Sequence, residues 1–265
     1  IYMAAEATIV QAHMPAPSSP VQPRQLFAAH GRGHNCRAAG AAVASPRAEE
    51  ALAAIVKLFR FADGFADYSA RENLVRRTTI ALYGASGRAP SSVEIAAAAR
   101  LDQGQTEAAL DALSRRDLVV LDEVSGAVKG AYPFTERDTG HRVRLGAKVL
   151  NAMCAINALG TGAMFASDCE IDSTCRQCGA PIRVTTAGNG ERLASVAPAS
   201  AMVWNGIYYE GQAATSLCTV IAFFCSPAHS ERWLQGRDDS DGYPLTMGEA
   251  LEVGKAIFRP VLDAG

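Results

Sequence analysis

Apolar positions take up a helical period soon after Pro46. Leu52, Ile55, Val56, Leu58 and Phe59 fall on one face, and Leu74, Thr78, Ile80, Ala81 and Leu82 mark a second helix ending at Gly84. In Ala89-Pro90-Ser91-Ser92-Val93-Glu94-Ile95, Ser91 or Ser92 caps a short Ala-rich helix. A further helix over about Gln105 to Arg116 turns Ala109, Leu110 and Leu113 inward. Leu118-Val119-Val120-Leu121 and Ala127 to Phe134 flank Ser125-Gly126, a hairpin signal. Beyond it the pattern predicts a helix over about Ala147 to Leu159 with Cys154 and Asn157 on one face. Strands are expected at Cys169 to Asp172, Ile182 to Thr186, Ala201 to Tyr208 and Ser216 to Phe224. Closing helices are expected around Trp233 and over Leu245 to Phe258.

The order of these elements implies an α+β chain. These helices, three of them directly before the hairpin, make with it a winged-helix-like helical module over residues 47–135, and residues 136–265 are expected to form a mixed αβ core that holds the chemistry. Residues 1–46 are rich in Ala and Pro and show neither helical period nor strand alternation, so a flexible arm is expected there, with His13, His30, His34 and Cys36 solvated.

Charge narrows the partners. The 25 basic and 27 acidic side chains give a formal charge of −2, so no global field draws the chain to nucleic acid. Glu107, Asp111 and Asp117 outweigh Arg115 and Arg116 on the helix that would read a DNA groove, which argues against DNA binding. The stretches Val149 to Ser167 and Gly211 to Ser230 carry no Lys, Arg, Asp or Glu, but polar interruptions and the lack of basic flanks assign them to a buried core rather than a bilayer. The seven cysteines (36, 154, 169, 175, 178, 218 and 225) are an odd set without a leader-like N-terminus, which predicts free or metal-bound thiols in a cytoplasmic protein. The oligomeric state is left open.

Cys154 and Cys218 sit inside the two charge-free stretches, where a thiol is either a core residue or a soft-metal ligand held away from water. Cys175-Arg-Gln-Cys178-Gly179 has zinc-knuckle spacing; a full site would draw on Cys169 as third ligand and on His229 or Cys225 as fourth. A Cys–His hydrolase would join Cys154 or Cys218 to His141 or His229, and nothing else in the chain supports one. Gly-x-Ser-x-Gly, P-loop and Gly-x-Gly-x-x-Gly motifs are missing, which removes α/β-hydrolase, nucleotide and dinucleotide readings. Trp204, Tyr208 and Tyr209 are candidates to cover the core or line a pocket.

Four short segments occur together in order: Val149-Leu150-Asn151-Ala152-Met153-Cys154-Ala155-Ile156-Asn157-Ala158-Leu159, then Cys175 with Gly179-Ala180-Pro181-Ile182, then Val196-Ala197-Pro198, then Ser216-Leu217-Cys218-Thr219-Val220-Ile221-Ala222-Phe223-Phe224. In this series the chain resembles the organomercurial (alkylmercury) lyases, over roughly residues 72 to 258 and more specifically from about Gly130. The resemblance implies a winged-helix-type module packed on an αβ core, Cys154 and Cys218 as the metal-taking pair and Cys175 as a further, structural cysteine. It implies a small-molecule substrate and no required cofactor, with mercury(II) or another soft metal arriving as part of the substrate. Thiolates suit that metal and push electron density onto its bound carbon, which a neighbouring acid then protonates.

One position departs from the family. Its acid is an aspartate three residues after the first cysteine, and this chain has Asn157, whose amide holds a ligand by hydrogen bonds but gives up no proton near neutral pH. Asp168, Glu170 and Asp172 are the acids nearest in sequence. Two readings therefore stand: protonolysis of a carbon–mercury bond, or a repurposed scaffold that binds a soft metal or small ligand without protonolysis.

Overall fold

The computed structural model describes residues 43–59 and 69–262. The expected arm lies outside these residues apart from positions 43–46. Four helices come first: α1 (Pro46–Phe59), α2 (Ala70–Ser86), α3 (Ser92–Ala99) and α4 (Gln103–Arg115). Each of the last three starts on a capping box, Ser69 with Glu72, Ser91 with Glu94 and Asp102 with Gln105, so two orphan amides per helix find local partners. Their apolar faces meet through Val75, Ile80, Ile95, Leu110 and Leu113, all buried.

An eight-stranded antiparallel sheet follows, in spatial order β1 (Val119–Leu121), β2 (Val128–Ala131), β3 (Phe134–Thr135), β5 (Lys148–Ala152), β4 (Arg142–Leu145), β6 (Cys169–Thr174), β7 (Pro181–Ala187) and β8 (Arg192–Ala197). The expected hairpin is β1–β2, and it continues into the strands of the second half as one sheet. A second sheet holds β9 (Met202–Gly206) between β10 (Ile221–Phe224) and β11 (Gly242–Thr246). Helix α5 (Ala155–Met164) is buried at every position and packs on both sheets and on the closing helix α8 (Met247–Leu262), as an apolar, chargeless helix must. The single turn α6 (Leu217–Val220) precedes β10, and α7 (Pro227–Leu234) follows it.

Helices α5 and α8 touch backbone to backbone. A Cβ on Gly254 would stand 2.8 Å from Gly160 N and 2.9 Å from Ile156 O, so only glycine permits this crossing.

Two expectations are corrected. Residues 148–152 are strand, because β5 pairs with β4 through Val149 and Leu150 and with β3 through Asn151 and Ala152. The helix begins only after Cys154, whose extended backbone makes it the N-cap. Likewise Ser216 to Phe224 is not one strand. Gln212 and Ala213 carbonyls accept the amides of Ser216 and Cys218 and wind Leu217–Val220 into a turn, leaving Ile221–Phe224 as strand. Strands β4, β8 and β11 have no counterpart among the sequence expectations. Among the described residues no helix is long and apolar enough to cross a membrane.

Candidate functional site

The strand-to-helix junction after β5 and the turn before β10 bring Cys154, Asn157 and Cys218 together. Asn157 lies one turn into α5, where the i, i+3 spacing returns its amide over the N-cap, and Cys154 Sγ donates to Asn157 Oδ1 at 2.6 Å. The Cys218 thiol hydrogen-bonds Cys154. That bond first and burial second push the Cys218 pKa well above the usual thiol value. All three side chains are buried. The Asn157 Nδ2 donor has no partner, which leaves both of its amide hydrogens to offer a ligand.

A cavity of about 50 Å³ opens beside them, room for one or two water molecules or a small organic group. Cys218 and Asn157 line it directly, while Cys154 lies behind them. Its other polar walls are Arg76, Asp117 and Tyr132, set among apolar side chains of α5, α6 and α8. Asp117 occupies the turn between α4 and β1 with φ of +55°, a conformation Asp and Asn adopt more readily than most residues. Tyr132 Oη donates to its Oδ1 at 2.9 Å, and Tyr209 Oη at 3.4 Å and Ala213 N at 2.7 Å donate to Oδ2. Burial nevertheless raises its pKa above the ordinary carboxylate value, outweighing those three donors. The site thus sets a thiol, an amide and a carboxyl of raised pKa around one cavity, with the second thiol against the first.

Asp117 was weighed in the sequence only as a charge disfavouring DNA. Its partners come from positions 132, 209 and 213, so no local pattern exposes it; the sole hint is a lone acid abutting the apolar run Leu118 to Leu121. The acids nearest in sequence lie elsewhere: Asp168, just before β6, accepts from Gly190 N, while on β6 Glu170 faces Arg144 and Asp172 pairs with Arg183. None lines the cavity.

The histidines are committed elsewhere too. His141 Nδ1 meets Ser173 Oγ at 2.8 Å, and burial lowers its pKa to about 4, so neither thiol of the pair gains a base from it. His229 stands with Cys175, Cys178 and Cys225, the four ligand atoms all within 4.8 Å of one another. Cys169, the expected third member of that group, instead sits under Thr186 on β6. Tyr209 reaches the site through Asp117, Trp204 is buried in β9 and Tyr208 is exposed.

The alkylmercury lyase family profile matches residues 134–259. An alkylmercury lyase of Staphylococcus epidermidis is 32% identical over 150 residues, 56% of this chain and 66% of that protein. One of Bacillus cereus is 30% identical over 141 residues, 52% and 62% of the two chains, and one of Streptomyces lividans is 24% identical over 131 residues, 49% and 59%. The matches thus span just under two thirds of the length of these curated relatives. The crystal structure of the mercury-bound form of MerB2 shares the fold, with a TM-score of 0.67 and 23% identity over 80% of this chain and 100% of that one.

Proposed function

We propose that this chain, which belongs to the alkylmercury lyase family, cleaves the carbon–mercury bond of a small organomercurial, with Asp117 supplying the proton that Asn157 cannot. The observation that carries the reading is the convergence of Cys218, Asn157 and Asp117 on one buried cavity with Cys154 directly behind.

In the proposed sequence Cys218, which faces the cavity, displaces the ligand X of R–Hg–X, and its proton leaves with X. Cys154 then adds to mercury and its proton passes to the carboxylate of Asp117 as the acid's own proton reaches carbon. The carbon–mercury bond breaks with its electron pair on carbon, giving R–H and mercury(II) held by two thiolates, with no change of oxidation state. Burial serves both halves: it shifts Asp117 toward its acid form, and it excludes water that would compete for the metal. Mercury enters as substrate, and the sequence of steps calls on no resident cofactor.

A second reading rests on Asn157 itself, whose unpartnered amide donor suits holding a ligand rather than cleaving one. Arene release from an arylmercurial in excess thiol separates the two. Release by the native chain, lost in Cys154→Ala, supports the lyase. Mercury uptake without release, converted to release by Asn157→Asp, supports the binding protein.

A further inference from the structure

Away from the cavity, the β6–β7 turn and the start of α7 build a second group of soft ligands. Cys175 and Cys178 lie in a tight turn closed by Gly179 N donating to Cys175 O at 2.8 Å, with Gly179 in the left-handed region at φ +72°. Cys225 directly follows β10 and His229 lies four residues on, where the Ser226 N-cap starts α7 and the two side chains meet. Backbone amides of Cys225, Cys178 and Gln177 point at the Cys175 sulfur, the arrangement that accommodates a thiolate at a metal.

Three of the spacings come close to the edges of a coordination tetrahedron. Metal–ligand lengths of about 2.3 Å to sulfur and about 2.0–2.1 Å to nitrogen require edges of roughly 3.8 Å between sulfurs and roughly 3.5 Å between sulfur and nitrogen. Here Cys178 Sγ to Cys225 Sγ is 3.8 Å, Cys175 Sγ to His229 Nδ1 is 3.6 Å and Cys225 Sγ to His229 Nδ1 is 3.2 Å. We propose that Cys175, Cys178, Cys225 and His229 hold a structural zinc(II) ion. Three thiolates and one imidazole in tetrahedral array are a closed zinc set, whereas mercury(II) held by two thiolates leaves such a set unfilled.

Such an ion would join the end of the eight-stranded sheet to the end of β10 in the small one. The same turn already reaches the segment bearing Cys218: Arg176 N donates to Phe223 O at 3.0 Å and its guanidinium to Thr219 O at 2.8 Å. The zinc therefore braces α6, and with it one sulfur of the reactive pair, from outside the cavity. This inference does not depend on the lyase reading.

Zinc content of the full chain, purified after growth with zinc supplied and measured by mass spectrometry, decides it. About one zinc per chain is expected, retained in Cys154→Ala and lost at least five-fold in Cys178→Ser and His229→Ala. Should those variants fail to fold, stripping the native chain with a chelator and reloading it with cobalt(II) is expected to give thiolate-to-cobalt absorption and to restore the melting temperature. A folded native chain that carries no zinc and gives no such spectrum overturns the proposal, as does undiminished zinc in both variants.

Discussion

The two thiol clusters of this protein differ less in their cysteines than in what surrounds them. Cys154 and Cys218 are only two ligands, buried beside a cavity with a carboxyl on its wall. Cys175, Cys178, Cys225 and His229 are four ligands filling one another's space at the rim of the sheets, with Cys178 exposed. Two donors leave a bound metal open to a further group, while four leave nothing for a substrate to attach to. Coordination number, rather than the count of thiols, separates a place where bonds are broken from a place where strands are tied.

The largest effect that would break this contrast is loss of either member of the pair. Cys154→Ala and Cys218→Ala are each expected to bring arene release to background. The double variant should still take up mercury on the remaining cysteines, one equivalent fewer than the native chain by mass spectrometry. Equal uptake would mean the pair is not a metal site. Next, Asp117→Asn is expected to lower kcat by about 10² to 10⁴ with KM little changed. Asparagine accepts the left-handed backbone there, so circular dichroism should be unaltered. Asn157→Asp placed on top should restore part of the rate, and a failure of Asp117→Asn to slow release would return the search for the acid to solvent.

Gly254→Ala sharpens the contrast mechanically. Its Cβ collides with the backbone of α5, so a stability loss of about 1–3 kcal/mol is expected in urea titration, with zinc content unchanged. The smallest effect is in pH. Burial raises the folded pKa of Asp117 above its ordinary 3.8, so the acid form is favoured by folding. Its contribution to stability is complete below 3.8 and is lost as pH rises through the folded value, and turnover falls over the same limb. Asp117→Asn should flatten that part of the stability curve.

The helical first third was legible because its signals are local: i, i+3, i+4 apolar spacing with a capping residue three before a Glu or Gln. The charge-free stretches around the two cysteines were not. Continuous apolar runs carry no period, and what makes Lys148–Ala152 strand is pairing on both flanks with β3 and β4, which lie elsewhere in the chain. Hence the pattern alone puts Cys154 inside a helix and Cys218 inside a strand, whereas the structure makes the first an N-cap and the second part of a helical turn. Half the foursome was visible as Cys-x-x-Cys, while Cys225 and His229 join it only through β10 folding back on the β6–β7 turn. Asp117 was hidden most thoroughly, since everything that raises its pKa is tertiary.

The glycine contact between α5 and α8 has a temporal corollary. Helix α5, whose first turn carries the amide of Asn157 and whose cap is Cys154, lies against residues made some hundred positions later. Cys154 is thus made well before the helix that backs α5. The placement of that sulfur at the head of α5 is therefore secured by a contact of long sequence separation, complete once α8 has docked.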